Sequence, residues 1–346
     1  MASIYDALLA KRVYDFDDSY KAVSAPNNIF TSLNLFSDDN LSSNTVLLDR
    51  LVDEQNRINL ENAPYVQSDF NSTTPRGYDT HVLDLKAFKR LDKVTSRSFE
   101  QNRSFGRASL AQSMDEVIAD FVIDHTTAFL NTREEIYAEA VLGAKQSSVY
   151  ASQGDLDFFA EFGTNRSTAT FDFGPDQNVL QQIDAVLRQI RQAAKSQIRQ
   201  LTGIVCLCTG DFATGLSYHS SIKESVLWAS AATGNGYLSD LQLMLSAFPI
   251  HQMKGVTFID VTGDPLMEKY IGTDGAVFIP RYVPNSGVMK CFNGIGTMHA
   301  VFGKTPSVFR QYSTLDEFQY PSVISESSHL AINNLPQAVV YCGTAM

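Results

Sequence analysis

Charge is scarce in this chain: 19% of its 346 residues are Asp, Glu, Lys or Arg, and the net charge is −11. That balance excludes a surface built for tight sequence-independent nucleic-acid binding, because phosphate contacts need clustered Lys and Arg. Cysteine is sparse too. Cys206, Cys208, Cys291 and Cys342 have no neighbouring His or second pair, so zinc is not indicated. Cys206 and Cys208 alternate along an expected strand and point to one face, as buried reduced thiols. The longest apolar runs, "IVCLC" and "AVVYC", are five residues, far short of a membrane span. The opening "MASIYDALLAKRVYDFDDSY" turns acidic before an apolar core forms, so no signal peptide is read. The expectation is a soluble protein made in a cytoplasm, with no N-terminal piece removed.

Catalytic patterns are also missing. The six histidines (His81, His125, His219, His251, His299, His329) form no His-x-x-x-His or Glu-x-x-His pair. His125 falls on the apolar face of a long helical stretch and reads as a core histidine with its hydrogen bonds met. "GNG" at 234–236 and "GIG" at 294–296 lack the remaining glycines of a phosphate-binding loop. No Gly-x-Ser-x-Gly frame marks a nucleophile elbow. The acid pairs Asp17–Asp18, Asp38–Asp39 and Glu134–Glu135 read as solvated surface. A Cys–His nucleophile assembled across the fold, such as Cys208 with His219, stays open as an alternative. No cofactor and no metal are expected.

What the chain does have is 44% apolar residues arranged with clear periodicity. The first 45 residues carry short apolar clusters ("IYDALLA", "NIFTSLNLF"), as an arm lying on something else would. "NTVLLDRLVDEQNRINL" and "THVLDLKAF" both alternate and flank the turn-like "STTPRGYDT". Together they predict a two-stranded excursion over roughly residues 46–105, and such a ribbon needs a neighbour. A long helix follows from Ser109 to Gly143. Ser109 and Gln112 have capping-box spacing, and Leu110, Met114, Val117, Ile118, Phe121, Val122, His125 and Phe129 line one face. Residues 148–175 read as a hairpin turning at "GTNRS". A second helix runs along "QNVLQQIDAVLRQIRQAAKSQIRQL", with Val179, Ile183, Val186, Leu187, Ile190 and Ala194 inward. From Gly203 the pattern becomes mixed α/β, with strands "GIVCLC", "VTFIDV" and "GAVFIP" and a helix near 211–230. The tail from Gly294 is apolar and β-rich.

Positive charge gathers in one place. From Arg76 to Arg107 there are eight Lys or Arg against four acids. A solvated hairpin explains this, and so does a docking arm meeting the acidic body of another subunit. Exposed ion pairs contribute only ~0–1 kcal/mol each, so such a contact would depend on many weak pairs. A nucleic-acid patch fits less well, because few aromatics interleave with the charge.

The order of arm, hairpin, long helix, α/β domain and β-rich tail resembles the major capsid proteins of tailed bacteriophages. The chain looks like the lambda-type capsid protein E family. The carrying residues are "NIFTSLNLFSDDNLSSNTVLLDRL" (28–51), "TTPRGYDT" (73–80), "KAFKRLDKVTSRSF" (86–99), the helix from Ser109, and "DGAVFIPR" (274–281). The resemblance implies an α+β, HK97-like capsid fold. It places an N-terminal arm at 1–45, an extended β-hairpin loop at 46–108, a peripheral domain with a spine helix at 109–176, an axial domain at 177–315 and C-terminal return strands at 316–346. It implies a non-enzymatic major capsid protein that self-assembles as pentamers and hexamers into an icosahedral virion shell around double-stranded DNA. The expected intersubunit contacts are Arg76, Lys86, Lys89, Arg90, Lys93 and Arg97. A separate scaffolding protein, a portal and a decoration protein are the expected partners, with DNA enclosed without sequence-specific binding and no membrane. The alternatives are an encapsulin-like bacterial compartment shell or a cytoplasmic α/β enzyme using a cysteine.

Overall fold

The computed structural model describes residues 13–16, 28–42, 45–51, 78–95, 114–147, 155–222, 245–284, 286–294 and 309–344. In chain order the first elements are β1 (Val13–Asp15), α1 (Ile29–Leu33), β2 (Ser37–Asn40), β3 (Thr45–Leu51), β4 (Tyr78–Asp84) and β5 (Lys86–Lys93). Then come α2 (Met114–Val141), β6 (Lys145–Gln146), β7 (Leu156–Asp157), α3 (Phe158–Glu161), β8 (Ser167–Phe171) and α4 (Val179–Ala194). The remainder is β9 (Leu201–Cys208), α5 (Gly210–Tyr218), β10 (Ile250–Met253), β11 (Val256–Asp260), α6 (Pro265–Ile271), β12 (Gly275–Tyr282), β13 (Met289–Asn293), β14 (Arg310–Leu315), β15 (Pro321–Asn333) and β16 (Val340–Thr344). The capping box at Ser109 and Gln112, the Pro75–Gly77 turn and the "GNG" at 234–236 lie outside the described residues.

Two six-stranded sheets organise these elements. In the first, β15 is central and pairs antiparallel with β14, β13 and β5, while β1 extends β14 and β2 runs parallel to β13. The second has the order β10-β11-β9-β12-β16-β8 and mixes parallel with antiparallel pairs. One core joins the sheets. It takes Val205, Leu207, Val277 and Ile279 from one face of the second sheet, Leu330, Ala331 and Ile332 from β15, and Ile136, Tyr137, Ala140 and Val141 from α2. The opposite face of the second sheet carries Ile204, Cys206, Cys208, Phe258 and Phe278 and is covered by α4.

The helices follow local sequence rules. Asn178 and Asp264 accept hydrogen bonds from the first free N–H groups of α4 and α6, and Asp157 does so for α3. All six residues predicted to face inward on α4 are buried. The described part of α2 is 28 residues, about 42 Å at the usual rise. It stops where predicted, but not through a left-handed glycine. Gly143 is needed for space, since a Cβ there would sit 2.7 Å from the Glu139 carbonyl oxygen, and the positive φ (48°) falls on Ala144. The Tyr341 hydroxyl donates toward the carbonyls of Leu142 (2.8 Å) and Val141 (3.3 Å), tying the end of α2 to the second sheet.

Two expectations need correction. The predicted hairpin over 148–175 does not form between its two described strands: β7 pairs with β6, whereas β8 runs parallel to β16 in the second sheet. Only β3 and β4 form the two-stranded ribbon, and the basic strand β5 joins the first sheet instead of extending it. Each sheet also draws strands from distant stretches of the chain. β13 and β14, inside the 177–315 stretch, belong to the first sheet, and β8, inside 109–176, belongs to the second.

Candidate intersubunit surface

Strand β5 carries four of the six basic contact residues, and its alternation splits them. Lys86, Phe88, Arg90 and Asp92 lie on one face, and Ala87, Lys89, Leu91 and Lys93 on the other. The first face meets α2. Lys86 Nζ is 3.4 Å from Glu139 Oε2, with both side chains largely shielded, so this lysine is held within its own subunit. Glu139 also accepts from the Ser147 backbone N–H (3.0 Å) and hydroxyl. Phe88 packs on the main core. Arg90 Nε lies 3.0 Å from Asp92 Oδ2.

Asp92 then reaches the buried His125. The ring Nε2 is 2.8 Å from Asp92 Oδ2, and Nδ1 is 2.7 Å from Ser325 Oγ. A carboxylate only accepts, so Nε2 carries the proton and Nδ1 accepts from the serine hydroxyl. Burial pushes the Asp92 carboxyl up, but the hydrogen bond from His125 and the Arg90 charge outweigh it and hold the group below its ordinary value. Burial also pulls His125 down, and the Asp92 bond offsets this only in part. His125 is thus the satisfied core histidine predicted, and it fastens β5 and β15 to α2.

The second face of β5 is different. Ala87, Lys89, Leu91 and Lys93 are all exposed, and Leu91 keeps 52% of its surface. Lys89 stands across from Glu326, and Lys93 from Ser322. Arg76 and Arg97 lie outside the described residues. The six candidates therefore do not form one patch: Lys86 faces inward, Arg90 borders α2, and Lys89 and Lys93 face outward beside Leu91.

Sequence reasoning missed a second set of contacts. Glu134, read as solvated, is buried; its carboxylate accepts from Phe30 N (2.6 Å), Thr31 N (3.1 Å) and Thr31 Oγ1 (2.9 Å). The two backbone N–H groups are orphan donors at the start of α1, whose Asn28 gives no side-chain cap. Burial raises the Glu134 carboxyl despite these bonds. Arg133 forks onto both Asp38 oxygens (2.6 and 2.7 Å), Lys290 lies 2.8 Å from Asp39, and Phe36 stacks on Tyr137 at 4.4 Å. Of the acid pairs within the described residues, only Glu134 leaves the surface: Asp38 and Asp39 keep solvent contact while paired with Arg133 and Lys290, and Glu135 stays exposed 3.4 Å from Lys269. The cue was present in sequence: Glu134 lies three positions before Tyr137 and four before Ala138, the helical spacing of one face. The described part of the arm, 28–42, is thus bound to its own subunit.

The cysteines offer little for chemistry. Cys208 Sγ is buried 3.4 Å from the Ile259 carbonyl oxygen, and burial pushes its thiol well up. His219, its proposed base, is engaged by Ser221 Oγ (2.8 Å) and the Gly174 carbonyl (3.1 Å). Burial raises the Cys291 thiol to about 12. Among the described residues no group of three His, Cys, Asp or Glu is placed to hold a metal, and no helix is long and apolar enough to cross a membrane.

Comparison with known proteins gives a consistent result. The family model of phage major capsid protein E matches residues 16–328. No curated protein matches. Among solved structures, the crystal structure of a protein assigned as the capsid protein of an E. coli CFT073 prophage aligns over 100% of both chains, at 12% identity and a TM-score of 0.59. At that identity the match shows a shared fold. A phage-related protein of Bordetella bronchiseptica RB50 aligns over 99% of this chain and 97% of that one (10% identity, TM-score 0.49). The mature capsid of bacteriophage PhiM1 aligns over 90% and 86% (11% identity, TM-score 0.49).

Proposed function

Because the chain belongs to the phage major capsid protein E family and is a shell-forming capsid protein with an HK97-like fold, we propose that it assembles as pentamers and hexamers into a closed icosahedral shell around double-stranded DNA. Its role is structural and not enzymatic, and its place is the virion, after synthesis in the host cytoplasm. The observation that carries this reading is the ribbon of β3 and β4. Among the described residues these strands pair with each other and with no third strand, although Val46 anchors the base in the core. Two strands alone are marginal in water. A neighbouring subunit supplies the missing support, and such a head-to-tail contact closes into rings.

The outward residues Lys89 and Lys93 remain the basic contacts of this contact region, with Arg90 at its border and Arg76 and Arg97 on the flanking segments. Lys86 serves the fold of its own subunit. The −11 balance suits an enclosure along which DNA slides without being held. A scaffolding protein, a portal and a decoration protein complete the proposed assembly. Electron microscopy of the purified protein, expressed with and without its upstream gene neighbours, tests the reading. Polyhedral shells or ring-shaped capsomers are expected; a uniform dimer or tetramer under every condition refutes it.

A further inference from the structure

Among the described residues Phe318 is the most exposed large apolar side chain, at 78%, and it sits at the tip of the turn joining β14 to β15. The turn is fixed in place. Asp316 Oδ1 accepts from the N–H groups of Phe318 (2.9 Å) and Tyr320 (2.8 Å), and Asp316 N donates to the Tyr320 carbonyl at 3.0 Å. Gln319 takes a φ of 63° to close it. Beneath the turn, Leu315 packs with Val94, Val117, Ile118, Val122 and Val323, while the Phe318 ring stands beyond them. Single exposed apolar residues are ordinary. A phenyl ring on a rigid tip, with Tyr320 at 45% exposure beside it, is a preorganised contact group.

The same end of the molecule carries a complementary surface. Lys93 pairs with Ser322, and Val94 N donates to the Pro321 carbonyl, so the outward face of β5 begins just behind the turn. That face offers Leu91 flanked by Lys89 and Lys93, whereas the turn offers Phe318 preceded by Asp316 and Glu317. We propose that Phe318 is an aromatic anchor that packs on the Leu91–Lys93 face of β5 in a second copy of this chain. The two halves match in chemistry: ring against leucine, and carboxylates against lysines. Within one subunit the ring and Leu91 are held apart. Leu91 pairs with Ile324, and the strand from there to the turn alone spans about 10 Å at the usual rise. A tip on one copy and a strand on the next give a contact that repeats around a rotation axis. Central aromatic side chains carry much of the energy in such contacts.

The inference rests on the shell reading, and the test separates the two. The unmodified chain, Phe318→Ala, the double variant Glu317→Cys/Lys93→Cys and its two single cysteine variants are expressed together with the upstream gene neighbours. The four native cysteines are buried, so mild oxidation reports on the introduced thiols. Phe318→Ala is expected to lower shell yield at least tenfold while its unassembled subunit keeps the unmodified urea midpoint. Assembled double variant is expected to give chain-to-chain disulfides that neither single cysteine variant gives. Native shell yield from Phe318→Ala overturns the inference and leaves the shell reading standing. So does a yield that falls only together with the urea midpoint, or a disulfide confined to one chain or made to a different protein. If the unmodified chain forms no shell under any condition, the shell reading fails and the inference falls with it.

Discussion

Replacing Glu134 with Ala should release α1 from α2. The carboxylate is buried and receives three donors, two of them backbone N–H groups at the start of a five-residue helix with no side-chain cap of its own. Each buried donor left without a partner costs about 1–3 kcal/mol, and the Thr31 hydroxyl can turn elsewhere, so the expected loss is about 2–4 kcal/mol. The cost should be local. At about 1.4 kcal/mol per tenfold, amide exchange across residues 28–36 should quicken by roughly 30-fold or more, with β9 and β12 unchanged. Hydrogen exchange by mass spectrometry on the unassembled subunit reads both regions at once. pH supplies an independent arm. Burial raises the folded carboxyl above its unfolded value, so the folded state holds the proton more tightly. Its stabilising effect is complete below the unfolded value and is lost as pH rises through the folded one. Glu134→Gln should remove that slope. Unchanged exchange over 28–36 in Glu134→Ala would show that the clasp does not hold the arm.

Three further outcomes follow from the same geometry. Lys86→Glu should destabilise the subunit by roughly 3 kcal/mol, because it breaks a shielded ion pair and sets a carboxylate against Glu139; the urea midpoint measures it. Lys93→Glu, across from Ser322, should leave that midpoint within about 0.5 kcal/mol, as surface changes do, yet lower the yield of shells seen by electron microscopy. Burial, with Arg133 nearby, pulls His329 down to about 3, so the unfolded chain takes its proton first and stability falls as pH drops from about 6.5 toward 3. At pH 5 the loss should be about 2 kcal/mol, and His329→Asn should flatten it in urea titrations at pH 7 and 5.

The elements most legible in the sequence are those whose pattern is local. The inward face of α4 is legible residue by residue, because a 3.6-residue period leaves little choice. Cys206 and Cys208 share a buried face for the equally local reason that strands alternate. What escaped was pairing across long stretches of chain. β8 reads as half of a hairpin, but its partner β16 is about 170 residues away, and the Asp157-capped turn of α3 interrupts the short apolar run before it. β5 reads as ribbon because it continues the alternation of β4, and only its register with β15 shows otherwise. Glu134 was missed for a different reason. An acid beside an acid looks solvated until a second segment brings N–H groups to it.

These long-range pairings converge on α2. Toward its N-terminal half His125 joins Asp92 of β5 to Ser325 of β15; in the middle Arg133 and Glu134 hold the arm; near the end Glu139 takes Lys86, and the final carbonyls take Tyr341. The arm, the basic strand and both sheets are thus referred to one rigid rod. A shell subunit has to present its outward contacts at fixed angles to its neighbours. A strand pinned by Lys86, Phe88 and Asp92 on one face can present Leu91 and Lys93 on the other with little freedom to drift. The splitting of the basic strand into two faces, which defeats its reading as a free arm, is what gives its outer face a defined position. Loss of the Asp92–His125 bond should therefore weaken assembly before it unfolds the subunit.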